Sequence, residues 1–338
     1  MLRLFRGETD STDNRFPEDW LASTVLARNG KNSQSPREGL SAISPDGHLL
    51  IDSLNSKPDF WFGSKHSRTS HSPGLGVLWK LLDSSVRLQI QAHPDADFAL
   101  RHLNSQAGKT ECWYILGTRG PAHVYLGFQY PPKRDAWARM IREQRVHEML
   151  ACFEKIPVSP GECYVIPAGM PHAIGAGVFM MELMEPTDWV VRCETTNAGL
   201  MLPPESCFMG LNLESCLEVF DYRAHSVDAV RQTFQQRPRE LVRNRTYCEE
   251  ELIGPAYHRY FRLRRLRGQG AARWPGCELM LLIVVKGEAE LSCEEKRQFV
   301  HAGQTFLLPG SAREWRWEAG KANWEILLAQ LPMQERMQ

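Results

Sequence analysis

The chain has 338 residues, 43% hydrophobic and 24% charged, with 40 basic and 40 acidic side chains. That is enough apolar material for one large core or two ordinary ones without disulfide or metal staples. The balanced charge gives no electrostatic reason to expect nucleic acid or an anionic membrane as a partner. No run of about twenty apolar residues is available to span a bilayer. The opening MLRLFRGETDSTDNRF lacks the apolar stretch of a secretory signal. Nine scattered cysteines without a C-x-x-C pair read as reduced thiols, so a cytoplasmic location is expected.

In chain order, VRLQIQAH at 86–93 alternates as a strand. Val86, Leu88, Ile90 and Ala92 then share one face, and Arg87, Gln89, Gln91 and His93 the other. Pro94 ends the strand because it cannot donate to a ladder. A short helix is expected over 95–104 with Asp95 as its cap. TECWYILGTRG after Gly108 and AHVYLGF at 122–128 supply two more strands. Residues 135–154 carry Trp137, Met140, Ile141, Met149, Leu150 and Phe153 at helical spacing. Strand character returns at 162–168 and 177–184, and a second helical pattern covers 212–235. The final stretch holds ELMLLIVVKG, EAELSC, GQTFLLPG and EWRWE, short strands broken by Gly or Pro. Many short strands with regular turns predict a mainly β protein, a sandwich or barrel, rather than alternating β/α units. A seam is expected near 250.

Gln91 and His93 are two apart on one strand and project to one side. Glu111 begins the next strand, and His172 follows the turn in IPAGMPHAIG. If these strands lie side by side, an amide, two imidazoles and a carboxylate converge. Such nitrogen and oxygen donors suit zinc, and equally iron, manganese or nickel. Glu182 stands inside the apolar run VFMMELM, where a carboxylate without a partner is costly.

QIQAHPDADFA, GKTECWYILG and PGECYVIPAGMPHAIGAGV together resemble the type I mannose-6-phosphate isomerases. KLLDSS at 80–85, MELMEPTDWVVR at 181–192 and TNAGL at 196–200 extend the resemblance, and EDWLAS at 18–23 follows it faintly. It implies two cupin-like β-sandwich or jelly-roll domains with an inserted helical segment. Residues 1–250 would be the metal-binding catalytic domain, and 251–338 a degenerate cupin with Arg313 where a ligand histidine would stand and His301 at the surface. The resemblance assigns Gln91, His93, Glu111 and His172 to one divalent metal, most often zinc in that family. It places Lys109, Glu182, Asp188 and Arg192 in the pocket of a sugar or sugar phosphate.

The implied activity is aldose–ketose isomerisation of mannose 6-phosphate and fructose 6-phosphate. Either Glu182 or Lys109 would be the base, and Arg192 would stabilise the enediolate. Two departures stand out: Gln89 replaces a small serine, and NAGLMLPP lacks the Thr-Pro-Lys that helps hold phosphate. The arginines of RRLRGQGAAR at 264–273 are candidates to replace that lost cation. The rival readings are an isomerase of an unphosphorylated or differently substituted sugar, a non-catalytic metal-containing sugar-binding cupin, and a cupin dioxygenase.

Overall fold

The computed structural model describes residues 1–8, 17–28, 35–43, 47–63, 74–197 and 199–333. Ten strands build the part that carries the expected site: β1 Glu18–Leu21, β2 Leu78–Ser84, β3 Gln91–Ala92, β4 Glu111–Thr118, β5 Ala122–Leu126, β6 Ile156–Val158, β7 Cys163–Ile166, β8 His172–Ile174, β9 Val178–Met184 and β10 Val191–Arg192. One sheet runs β1-β2-β9-β4-β7 and ends on Gln235–Gln236; the other runs β10-β3-β8-β5-β6. Neighbouring strands are antiparallel, and β9 lies between β2 and β4 with Glu182 opposite both Lys80 and Trp113.

Strand alternation sorts the side chains into three layers. Trp113, Ile115 and Met180 of the first sheet meet Val124, Leu126 and Ile174 of the second in a core between the sheets. The odd-even partners Cys112, Tyr114, Met181 and Leu183 point the other way, onto Leu263, Leu281, Ile283 and Leu327 of the C-terminal sheet. Ile90, Ala92, Ala173 and Val191 back the second sheet against a cluster that includes Trp137, Ile141, Phe153 and Phe220. By the same parity Lys80, Gln91, His93, Glu111, His172, Glu182 and Arg192 all belong to the face between the sheets. Each large apolar side chain removed from water there contributes roughly 1.5–3 kcal/mol, which offsets the cost of holding charges in this layer.

The C-terminal sheet has eight strands, with Arg262–Pro275 and Glu314–Gln330 as its long central pair. Leu266, Trp274, Leu282, Val284, Trp317, Trp324 and Ile326 fill its interior. The expected strands at 280–286, 288–293, 305–308 and 314 onward are all present. Both Arg313 and His301 are exposed. No helix among the described residues is long and apolar enough to cross a membrane.

Three sequence expectations need correction. The alternation at 86–93 yields a ladder only at Gln91–Ala92, and Val86 is 46% exposed. The cause is Glu194, whose Oε1 accepts from the Ile90 N–H at 2.8 Å, so that a buried side chain does what a neighbouring strand would do. The helix at 135–154 is two helices, Arg134–Arg142 and Val146–Leu150, broken at Gln144 with φ of 50°. There the Gln144 amide ties down the chain after Arg192, donating to Cys193 O at 3.1 Å and accepting from Thr195 N at 2.8 Å. The pattern at 212–235 divides into Leu213–Cys216, a 3-10 turn at Leu217–Val219 and Val227–Thr233. It restarts because Ser226 caps the last helix by accepting from Ala229 N at 3.1 Å. The helix after Pro94 forms as expected at Ala96–Leu103, with Asp95 accepting from Phe98 N.

Candidate active site and metal centre

His93, Glu111 and His172 come from three strands or strand ends of two sheets, and their donor atoms lie within 4.8 Å of one another. His93 Nε2 is 3.0 Å from Glu111 Oε1, and His172 Nε2 is 3.8 Å from Glu111 Oε2. All three are buried, at 2%, 2% and 0% exposure. His93 Nδ1 faces the Trp189 carbonyl at 2.9 Å and His172 Nδ1 faces the Met170 carbonyl at 2.9 Å. A carbonyl only accepts, so each Nδ1 carries the proton and each Nε2 offers a lone pair to the centre.

This arrangement fits a cation. His93 Nε2 and Glu111 Oε2 are buried without a hydrogen-bond partner among the described residues. The 3.0 Å approach of His93 Nε2 to Glu111 Oε1 is therefore close but not aligned as a hydrogen bond. Two acceptors held face to face repel unless something positive lies between them. Gln91 pairs with His172 in register, and its amide nitrogen is 3.1 Å from His172 Nε2. A half-turn of that amide exchanges nitrogen for oxygen and adds a fourth donor. The His93, Glu111 and His172 cluster can thus bind a metal.

Electrostatics agree with lone pairs kept free. Burial pushes the His93 imidazole below its usual range, with Lys109 adding to the effect against Glu111. Burial and then His93 push His172 down to about 4. For Glu111, burial opposes the charge, but His93, Lys109 and His172 outweigh it and hold the carboxyl well below the usual range. One consequence can be measured on metal-stripped protein. The folded His172 value of about 4 lies below the ordinary 6.5, so between those pH values the unfolded chain binds more protons than the folded one. This stability is present above pH 6.5 and lost as pH falls towards 4. The pH dependence of stability from urea titrations should differ between parent and His172→Gln by roughly 3 kcal/mol across that window, the opposing contribution of Glu182 being common to both; identical profiles would contradict the assignment.

The remaining expected residues differ in their relation to this centre. Lys109 Nζ is 3.3 Å from Glu111 Oε1. Glu182, 4% exposed, has its carboxyl pushed up to about 8 by burial and then by Glu111, against Lys80. Arg192 pairs with Gln91 in register, and its Nη1 is 3.4 Å from the Ser206 carbonyl. Asp188 is reached from outside the cluster, accepting from Arg28 N at 2.8 Å and facing Lys80 Nζ at 3.9 Å.

Sequence reasoning did not single out Lys80, Glu18 or Glu194. Lys80 is 3% exposed, lies 3.0 Å from Glu18 Oε2, and sits 4.3 Å from the Trp20 ring centroid. A lone cation inside the apolar strand LWKLLDS was the available signal. Glu194 is 1% exposed and grips Arg87 with both oxygens, at 2.7 and 2.6 Å, besides holding Ile90 N. Its carbonyl also accepts from Gln89 at 2.7 Å, so Gln89 fastens the strand that carries Gln91. Thr196–Asn197 pairs antiparallel with Leu200–Met201, and Met201 is 75% exposed.

No protein-family model matches the chain. It is 28% identical over 243 residues to mannose-6-phosphate isomerase ManA of Bacillus subtilis (strain 168), covering 72% of this chain and 71% of that one. It is 31% identical over 240 residues to YvyI of the same organism, provisionally named a mannose-6-phosphate isomerase, covering 69% and 68%. The chain belongs to the mannose-6-phosphate isomerase family. The crystal structure of the mannose 6-phosphate isomerase from Bacillus subtilis has the same fold, with a TM-score of 0.71 at 19% identity, covering 98% of this chain and 94% of that one. The crystal structure of a mutant phosphomannose isomerase from Salmonella typhimurium gives a TM-score of 0.67 at 14% identity, covering 98% and 95%. Membership of the mannose-6-phosphate isomerase family accounts for one otherwise costly feature of the core. Carboxylates and lysines are carried on the inward faces of its central strands, beside a metal-competent cluster.

Proposed function

We propose that the chain is a zinc-dependent aldose–ketose isomerase that interconverts mannose 6-phosphate and fructose 6-phosphate through an enediol(ate). The observation that carries this reading is the pairing of a cation-ready His93–Glu111–His172 cluster with a buried Glu182 on the same face. The sugar phosphate comes from the names of the relatives. Gln91, His93, Glu111 and His172 would hold the metal, whose chemistry is to polarise or orient the sugar oxygens as a Lewis acid.

The other roles follow from what each side chain can do. Glu182 removes the proton from C2 of mannose 6-phosphate and returns it at C1, while the hydroxyl proton on O2 passes to O1 at the enediol(ate), because Glu182 is the buried carboxyl with no ion-pair partner within 4 Å among the described residues. A carboxyl pushed up to about 8 is well matched to hold a proton between the two transfers near neutral pH. Lys109 is already engaged with Glu111 at 3.3 Å, which suits a donor that positions the sugar hydroxyls more than a base. Arg192 offers guanidinium donors to the developing oxyanion. Asp188 fixes the outer wall through Arg28 and Lys80. Residues 1–250 would be the catalytic unit and 251–338 a metal-free cupin that covers the first sheet.

The test is proton exchange in D₂O on zinc-loaded protein with phosphorylated and unphosphorylated aldoses and ketoses, followed by NMR at C1 and C2. Conversion of mannose 6-phosphate with deuterium at C1 or C2 is the expected result. Absence of conversion and exchange with that pair, despite a full metal site, would reject the reading.

A further inference from the structure

The proposed substrate carries a dianion, and the cations around the site are unequally free to meet it. Lys80 is engaged by Glu18 at 3.0 Å and Asp188 at 3.9 Å, and Lys109 by Glu111 at 3.3 Å. Of the arginines at 264–273, candidates on sequence grounds, Arg273 is exposed opposite Arg316 and the other three are ion-paired in the C-terminal sheet. Arg264 meets Glu249 at 3.0 Å, while Arg265 and Arg267 share Glu250 at 2.8 and 3.2 Å.

Arg28 is different. Its backbone N–H donates to Asp188 Oδ2 at 2.8 Å, which pins the residue to the rim of the site. Its guanidinium carbon lies 3.5 Å from the centroid of the Trp189 ring. Trp189 is also the residue whose carbonyl orients the metal-cluster imidazole of His93, at 2.9 Å. Among the described residues the Arg28 guanidinium has no ion-pair or hydrogen-bond partner, and the residue is exposed. The Asp188 charge acts on it, but that carboxylate makes no ion pair with the guanidinium within 4 Å; it takes the Arg28 backbone and faces Lys80.

We propose that Arg28 is the specificity-determining residue that receives the phosphate of the substrate, an inference that rests on the isomerase reading. A guanidinium held over an indole face at 3.5 Å still has N–H groups to offer, and its fork matches two oxygens of a phosphate. Stacking also limits the rotamers that must be frozen on binding. A cation supplied by the segment after β1 thereby takes the place of the lysine missing after NAGL.

The experiment is calorimetric titration of zinc-loaded full-length protein with fructose 6-phosphate, fructose and inorganic phosphate. Parent, Arg28→Gln and Arg28→Lys are compared, with thermal unfolding to verify that each variant is folded. The expected result is fructose 6-phosphate binding weakened about 10- to 100-fold in Arg28→Gln, the range for a charge-assisted contact to phosphate. Arg28→Lys should lose less, and fructose should bind parent more weakly than fructose 6-phosphate. Unchanged fructose 6-phosphate affinity in Arg28→Gln overturns the proposal, as does parent protein that does not prefer the phosphorylated sugar. The D₂O assay separates the two readings. Arg28-dependent binding without exchange would remove the isomerase and leave the anion site. Exchange in parent with Arg28-independent binding would do the reverse.

Discussion

His172→Ala is expected to abolish metal binding and activity together. The imidazole is fully buried, held through Nδ1 by the Met170 carbonyl, and presents Nε2 to Glu111 and Gln91. Replacing it with a methyl group removes one of two nitrogen donors and leaves Glu111 facing His93 alone. Changes in outer contacts of a metal ligand already cost about 10- to 100-fold in affinity, so loss of the ligand itself should weaken zinc by at least about 100-fold. Chelator competition measures this directly. The variant also opens a cavity costing about 2–4 kcal/mol, so far-UV circular dichroism must verify a folded chain. Full metal occupancy after the substitution would dismantle the proposed ligand set.

Glu182→Gln should give the opposite split, with metal retained and turnover lost. A positioned base contributes about 10²- to 10⁴-fold to proton transfer, so kcat should fall by that order while zinc content stays at the parent level. The structural cost should be small. A carboxyl pushed up to about 8 is protonated at neutral pH in the metal-free protein, and glutamine mimics that neutral form. A bound cation would draw the value down by favouring the carboxylate. In the zinc-loaded parent, activity should therefore rise with pH as Glu182 loses its proton, along a limb centred below pH 8. Unchanged kcat in Glu182→Gln would exclude it as the base.

Much of the site was legible because strand periodicity alone fixes which side chains share a face. Gln91 with His93 follows from a repeat of two, and Glu182 stood out as a lone carboxylate inside an apolar run. The motifs around Glu111 and His172, with their Gly and Pro turns, pointed to the same family that the sequence and structural relatives give. Lys80 and Glu18 were not legible, because their pairing joins strands 62 positions apart. The lone cation in LWKLLDS marks Lys80 but names no partner for it. Arg28 is harder still, since only its contacts to Asp188 and Trp189, far along the chain, distinguish it from any exposed arginine.

The sequence by itself determined the strand-rich class, the helix cap at Asp95 and the common side of Gln91 and His93. Those properties depend on neighbours a few residues apart, where sterics and hydrogen-bond geometry act locally. Tertiary structure alone decided the break at Gln144, the short ladder at Gln91–Ala92 and the partners of Lys80 and Arg28. In each case a side chain from a distant segment supplies a hydrogen bond or charge that outweighs the local pattern: Gln144 to Thr195, Glu194 to Ile90, Glu18 to Lys80. Buried polar groups must find partners wherever the fold places them, and no periodicity in the chain records where that will be.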